Sequence, residues 1–193
     1  AYAATELAGR EALPIDRNTV VLDVGATSTT ATVVAVRDGL FHPLSSVSES
    51  GLGGDLFDEK LMDWFGKEFT KKTRVAVEPS NHRAQMKLRL AVEVTKKSLS
   101  ASTSAPCSVE SLAEGMDFHG TINRTRFDLL ASSLYSRIIT KVEQAIEQAN
   151  LDPPNIHEVI LVGGTSKLPT LSNKLYDLLP ESVVVSNQIE ADE

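Results

Sequence analysis

The chain has 193 residues, of which 41% are hydrophobic and 23% charged, and its formal net charge is −7. This hydrophobic fraction is ordinary for a globular protein, whereas the negative charge argues against direct nucleic-acid binding by bulk electrostatics. No apolar run approaches the roughly 18 residues that a membrane-spanning helix needs. Cys107 is the only cysteine, which excludes a disulfide framework and fits a reducing compartment such as the cytoplasm. Because the chain begins without methionine and stops abruptly at Glu193, we expect a piece of a longer protein.

Strands dominate the first quarter of the chain, after a helix-compatible stretch at Tyr2–Leu7. Runs rich in valine and threonine predict strands at Thr19–Asp23 and Thr30–Val36. The turn sequence Arg37-Asp38-Gly39 then predicts that Leu40–Val47 pairs back as a third strand.

From Asp55 onward the hydrophobic period changes to that of a helix. Two helices are predicted, separated by Pro79, and their apolar faces are Phe57, Leu61, Phe65 and Phe69 in the first and Ala84, Leu88, Ala91, Thr95 and Leu99 in the second. Two short strands follow, at about Ala105–Ser111 and Phe118–Ile122, turning at Glu114-Gly115.

The last third of the chain alternates helix and strand. One long helix is predicted from the stripe Phe127, Leu130, Leu134, Ile138, Val142, Ala145 and Ala149. Glu158–Val162 reads as a buried parallel strand, followed by a helix near Leu168–Leu179 with Pro169 in its first turn and a last strand at Ser182–Ser186. This order predicts an α/β layer with an insertion.

A first candidate site is the turn that follows Asp23. Small residues let backbone N–H groups approach phosphate oxygens, and hydroxyls add donors; the residues concerned are Gly25, Ala26, Thr27 and Ser28. Asp23 could hold the water shell of Mg²⁺. An ordinary polar β-turn explains the same pattern.

Two further glycine turns precede helices. Gly53 and Gly54 suit an anion or a ribose edge at a helix N-terminus, or else a flexible hinge. Gly163, Gly164 and Thr165 follow a buried strand, where α/β proteins place ligands, although a tight strand-to-helix turn is the alternative. None of the three turns is a Walker A loop or a GxGxxG fingerprint, so only their order and spacing make them specific.

With its three turns in this order, the chain resembles the second lobe of the nucleotide-binding domain of the DnaK/heat-shock-seventy chaperone family. The matching segments are Asp23–Thr30, Leu52–Asp58 and Val162–Pro169. The resemblance implies an actin-like ATPase (ribonuclease H-like) fold, with residues 1–51 and 124–193 as core and 52–123 as an inserted subdomain. It also implies ATP or ADP, with Mg²⁺, as ligand, and an adenosine-contacting helix carrying Glu93, Lys96, Lys97 and Ser100. Charge pairs on a solvated helix face are the alternative for these residues.

The phosphate turn departs from the family pattern. Ala26 and Thr27 stand where the family has glycine, so we expect side chains that crowd the turn and disfavour positive φ. Thr30 replaces a carboxylate near the metal, and Lys167 replaces an arginine stacked on adenine. These departures predict weak nucleotide binding, negligible hydrolysis and no catalytic residue in this lobe. Gly164 is expected to be the least replaceable residue for nucleotide binding.

Three segments resemble an atypical fungal branch of the family: Leu61–Phe65, Cys107–Phe118 and Pro180–Ser182. The resemblance implies a zuotin-type J-protein as partner and an indirect association with the ribosome, where the complex assists nascent chains. The alternatives are the lobe of an active ATPase chaperone, an actin-like kinase lobe and a scaffold without ligand. The basic run Lys67, Lys71, Lys72 and Arg74 could touch a ribosomal surface, but such a run is more typical of a solvated helix end.

Overall fold

The structure is a computed structural model that describes residues 13–186, so the helix predicted at Tyr2–Leu7 lies outside the described residues. The elements, in chain order, are β1 Arg17–Val24, β2 Ser28–Arg37, β3 Leu40–Ser50, α1 Gly54–Thr73, α2 His82–Ala101, β4 Ser104–Ala113, β5 Met116–Asn123, α3 Arg124–Leu130, α4 Ser132–Gln148, β6 Glu158–Val162, α5 Pro169–Leu178 and β7 Val184–Ser186. Short 3₁₀ helices lie at Pro153–Asn155 and Gly164–Lys167.

A five-stranded mixed sheet in the order β3-β2-β1-β6-β7 forms the larger layer. β1, β2 and β3 are antiparallel neighbours, whereas β6 runs parallel to β1 and β7 parallel to β6. α4 packs against β2 and β3 and contacts α5. Because β1 and β6 are parallel, their carboxyl ends, Val24 and Val162, meet at one edge of the sheet.

Both predicted hairpin turns are present. Asp38 and Gly39 adopt φ values of 49° and 78°, and Glu114 and Gly115 adopt 49° and 75°. Consecutive positive φ values are those of the tight turns that match strand twist, which is why a polar residue followed by glycine signals the hairpin. Each turn leaves two residues between paired positions.

α1 and α2 pack together, and α2 packs on the β4–β5 hairpin. The predicted apolar face of α1 is confirmed, since Phe57, Leu61, Phe65 and Phe69 are all fully buried. On α2 the predicted Ala91 lies at the margin of the apolar face, where it is partly buried and packs against the core. Val92, which was not predicted, is fully buried. The face therefore runs Ala84, Leu88, Val92, Thr95, Leu99, with the larger aliphatic side chain turned inward.

The single long helix predicted across Phe127–Ala149 is two helices. The break is at Ala131, whose φ of −95° and ψ of 3° lie outside the helical region. The Ala131 carbonyl then accepts hydrogen bonds from the N–H groups of Leu134 and Tyr135, which starts α4. The apolar stripe continues through the break because Ala131 is itself fully buried. Among the helices of the described residues, none combines the length and hydropathy needed to cross a bilayer.

Candidate functional site

The first two glycine turns are joined by their main chains. At the start of α1, the N–H groups of Gly54 and Asp55 donate to the carbonyls of Gly25 and Ala26, each at 2.9 Å. The Gly51 N–H donates to the Thr27 carbonyl at 2.7 Å. The first two N–H groups of α1 are thus bonded to the neighbouring turn. The sequence suggested an anion at this helix N-terminus, but these two donors are not available to one.

Gly53 is required for this close approach. Its backbone is extended, with φ of −169°, so conformation does not demand glycine. A Cβ there, however, would lie 2.5 Å from the Ala26 carbonyl oxygen. That distance is well inside van der Waals contact, and it argues for a tightly packed junction rather than a flexible hinge.

The third turn lies against the first. Gly163 has φ of 86°, and a Cβ there would lie 2.5 Å from the Val24 carbonyl oxygen and 2.7 Å from Oδ1 of Asp23. Two residues on, the Thr165 hydroxyl donates to the Gly25 carbonyl at 3.0 Å. Backbone conformation and close packing both restrict position 163 to glycine.

Gly54 is the point where the three turns and α2 meet. A Cβ on Gly54 would lie 2.6 Å from Oγ1 of Thr165 and 3.0 Å from Nζ of Lys96. The Lys96 ammonium donates to the Gly54 carbonyl at 3.0 Å. The structure therefore brings together residues that are separated by more than a hundred positions in the sequence.

Lys96 is held by Asp58, a residue that was not predicted to belong to the site. Their Nζ and Oδ2 atoms are 2.7 Å apart, and their side chains are 12% and 6% exposed. Burial raises the pKa of the Asp58 carboxyl, and the Lys96 ammonium offsets part of that effect. Oδ1 of Asp58 is buried without a hydrogen-bond partner in the described part of the chain. Sequence offered one signal, because Asp58 follows Phe57 on the buried side of α1, where a carboxylate is unusual.

The other predicted adenosine-helix residues are satisfied within α2. Lys97 pairs with Glu93 at 2.8 Å, and the Ser100 hydroxyl donates to the Lys97 carbonyl. The Lys97 ammonium lowers the pKa of Glu93, and Glu93 raises that of Lys97. Glu93 lies before Lys96 on α2, and Lys97 and Ser100 lie after it. Lys96 is the member of the set that contacts the turns.

The open side of the junction carries exposed residues of the first and third turns: Asp23, Ala26, Thr27, Ser28, Gly164 and Lys167. In the region covered by residues 13–186, the backbone N–H groups of Ala26, Thr27 and Gly164 donate no hydrogen bond. A Cβ on Gly164 would meet none of the described atoms within 4 Å. Free amides beside open space are what a phosphate site requires.

The expected strain in the phosphate turn is absent. Neither Ala26 nor Thr27 has positive φ, and both side chains are exposed. The prediction that their Cβ atoms disfavour the turn was therefore wrong, because the turn does not use the left-handed region. Their backbone N–H groups remain available.

A metal at this edge would find one carboxylate. Asp23 is exposed at the end of β1, and its partner across the strand pair is Thr30. No group of three or more metal-ligating side chains occurs among the residues that the structure describes. A single carboxylate fits Mg²⁺ held mainly by phosphates and water, with Asp23 contacting its water shell.

The sequence profile of the Hsp70 protein family matches residues 6–193. The chain belongs to the Hsp70 family. The actin-like ATPase fold expected from the sequence is thereby confirmed for this mixed α/β chain.

Several Hsp70-family relatives match most of the chain. A heat shock protein 70 homolog of Schizosaccharomyces pombe is 42% identical over 91% of this chain and 31% of its own length. Ribosome-associated complex subunit SSZ1 of Saccharomyces cerevisiae is 40% identical over 95% of the chain and 34% of its own length. Heat shock 70 kDa protein 14 of Danio rerio is 36% identical over 90% of this chain and 34% of its own length. The chain thus spans about a third of the curated relatives it matches.

Proposed function

We propose that this chain is the second lobe of the nucleotide-binding domain of an atypical Hsp70-type chaperone subunit, which holds ATP or ADP without working by hydrolysis. The observation that carries this proposal is the junction at Gly54, where the three turns and Lys96 of α2 meet. In the same proposal, residues 1–51 and 124–193 form the core and 52–123 an inserted subdomain.

The free amides define how the lobe would hold its ligand. The N–H groups of Ala26, Thr27 and Gly164 would bind phosphate oxygens, and the Ser28 hydroxyl adds a donor at the same turn. Lys96, already fixed by Asp58, would bring positive charge to the ligand. The nucleotide supplies phosphates that bind Mg²⁺, and Asp23 would orient the water shell of that ion.

The missing second carboxylate supports weak or absent hydrolysis. Among residues 13–186, Asp23 is the acidic member of the last cross-strand pairs before the turn, because its neighbour Thr30 carries a hydroxyl. A hydroxyl cannot supply the charge that fixes a divalent ion on the transferring phosphate. The proposed role is accordingly nucleotide binding.

Calorimetric titration of the full-length protein with ATP, with and without Mg²⁺, tests the proposal, and Gly164→Val sharpens the test. The added side chain enters open space at the ligand side, so affinity should fall several-fold with little loss of melting temperature. Gly66→Val is the matched control, since Gly66 also lacks positive φ and also faces open space. It lies twelve residues after Gly54 on α1, which places it about 18 Å from the junction along the helix axis. If the ATP affinity per folded molecule of Gly164→Val were unchanged, the phosphate-binding role proposed for this turn would be wrong.

The proposed cellular setting is the cytoplasm, with a zuotin-type J-protein as partner and the ribosome reached through that partner. Support comes from the relative named as a ribosome-associated complex subunit, which matches nearly the whole chain. Co-purification of the full-length protein with a J-protein of this type, followed by ribosome sedimentation, tests the setting. A protein that binds ribosomes equally well without the J-protein would contradict the indirect association.

A further inference from the structure

A groove of about 680 Å³ lies on the side of α1 that faces the chain segment leading into α2. Its floor is α1, at Met62, Gly66 and Thr70, and its opposite wall includes Val77, Pro79 and Leu88. None of these residues belongs to the junction at Gly54. The groove is therefore a separate feature of the fold.

Gly66 leaves the α1 backbone bare in the middle of this groove. It is an interior residue of a 20-residue helix, a position where glycine is destabilising relative to alanine. Packing does not explain it, because a Cβ on Gly66 would meet no atom of residues 13–186 within 4 Å, and its φ is not positive. The bare backbone at Gly66 leaves room for another chain to approach α1 closely from outside.

Charges of opposite sign occupy the two ends of the groove. Glu59 and Asp63 line the end nearer the start of α1, and Lys67 and Lys71 line the other end. Within residues 13–186 none of these four side chains forms an ion pair. The midpoints of the acidic and basic pairs are eight residues apart, or about 12 Å along the helix axis.

The wall opposite α1 is held in place by its own hydrogen bonds. The side-chain amide of Gln85 donates to the carbonyls of Val77 and Glu78, each at 3.3 Å. Asn81 caps α2 by accepting from the Ala84 N–H. A groove with a fixed wall needs little ordering when it binds, which favours affinity.

We infer that this groove binds an extended peptide segment of a partner protein, with a basic and an acidic side chain about four residues apart. In an extended chain four residues span about 13 Å, which matches the separation of the acidic and basic ends. The basic side chain lies at Glu59 and Asp63 and the acidic one at Lys67 and Lys71. Small apolar residues between them lie over Gly66, where the absence of a side chain lets the peptide backbone come close.

Two fluorescein-labelled nine-residue peptides of identical composition test this inference by fluorescence anisotropy with the full-length protein. In one, lysine and glutamate are separated by three small apolar residues; in the other, the two charged residues are adjacent at one end. We expect the spaced peptide to bind about five-fold more tightly, as two solvent-exposed ion pairs allow. Equal affinities would overturn the inference.

Variants at the groove separate binding from stability. Gly66→Ala should raise the melting temperature by about 2 °C and at the same time weaken binding of the spaced peptide about five-fold. The double exchange Asp63→Lys with Lys67→Asp, at two exposed positions, should abolish the preference for the spaced peptide. A more stable Gly66→Ala protein with unchanged peptide affinity would overturn the proposal. So would concentration-dependent self-association lost in Gly66→Ala, because the groove would then belong to a second copy.

Discussion

Asp23 and Thr30 lie directly opposite each other in the antiparallel pair of β1 and β2, so both side chains project from the same face of the sheet. This pair stands one step from the end of β1, beside the turn whose N–H groups at Ala26 and Thr27 donate to no group in the described part of the chain. The chemical character of the edge is therefore set by one carboxylate and one hydroxyl.

Thr30→Asp should increase the effect of Mg²⁺ on ATP affinity, because a second carboxylate then faces the same ion. Two like charges directly opposite each other should also cost about 0.5 kcal/mol of stability in the absence of metal. Thr32→Asp is the control, since Thr32 lies on the same strand and face but opposite the uncharged Val21. Calorimetric titrations with and without Mg²⁺ measure the effect, and an equal Mg²⁺ response in both variants would contradict it.

Gly163→Ala should lower the free energy of unfolding by about 2–3 kcal/mol, because it combines a strained positive φ with overlap against backbone. A Cβ there would lie 2.5 Å from the Val24 carbonyl oxygen, which cannot move without disturbing β1. Gly164→Ala, with open space around its Cβ, should stay within about 0.5 kcal/mol of the parent. Urea unfolding of both proteins decides the matter; similar losses in the two variants would argue against the role given to Gly163.

Lys96→Met should cost about 3 kcal/mol, because it leaves the buried carboxylate of Asp58 without its partner. Replacing both residues, as Asp58→Leu with Lys96→Met, should recover most of that loss. Lys97→Met, on the exposed side of α2, is the matched control and should leave the melting temperature nearly unchanged.

The loss in Lys96→Met should also depend on pH. Burial raises the folded-state pKa of Asp58 above its ordinary value of 3.8, and removing Lys96 removes the main opposing effect. A carboxyl with a raised pKa favours the folded state when protonated, and that contribution disappears as pH rises through the folded pKa. The deficit should therefore be largest at neutral pH and shrink toward pH 4. A deficit of constant size between pH 7 and pH 4 would show that Asp58 is not the cause.

Glu49→Gln tests the opposite sign of linkage. Hydrogen bonds from Arg137 and Lys141 on α4 lower the pKa of Glu49, so its contribution to stability is present above pH 4.5 and is lost as pH falls below that value. The substitution should cost about 0.5 kcal/mol at pH 7, because solvent screens the pair, and nothing measurable in strong acid. Thermal unfolding at several pH values and at low and high salt measures this, and a loss that persists in strong acid would exclude the charge pair as its source.

Local periodicity predicted most of the fold. The spacing of Phe57, Leu61, Phe65 and Phe69 reports directly which side of α1 is buried, and an acidic residue followed by glycine marks both hairpins. The sequence did not predict the helix break at Ala131, because the apolar stripe runs through the break unchanged. Periodicity reports which residues face inward, but it is insensitive to a small change in backbone angle.

The site was only partly predictable for a related reason. Turn composition marked the three glycine segments, but their contacts join residues far apart in sequence, such as Thr165 and Gly25. The Asp58–Lys96 pair spans 38 positions, and no local pattern connects an acid on one helix to a lysine on the next. The crowding predicted for Ala26 and Thr27 failed because residue type alone does not reveal the φ angles of a turn.

The link between α1 and the first turn consists of main-chain atoms, through Gly54 N–H to Gly25 carbonyl and Asp55 N–H to Ala26 carbonyl. Its strength is therefore indifferent to most changes of side chain at positions 26 and 55, so the turn can drift in composition while its attachment to the helix persists. Proline is the exception, because it lacks the N–H. Asp55→Pro is sterically acceptable in the first turn of a helix and would delete one of these bonds, whereas Asp55→Ala keeps it.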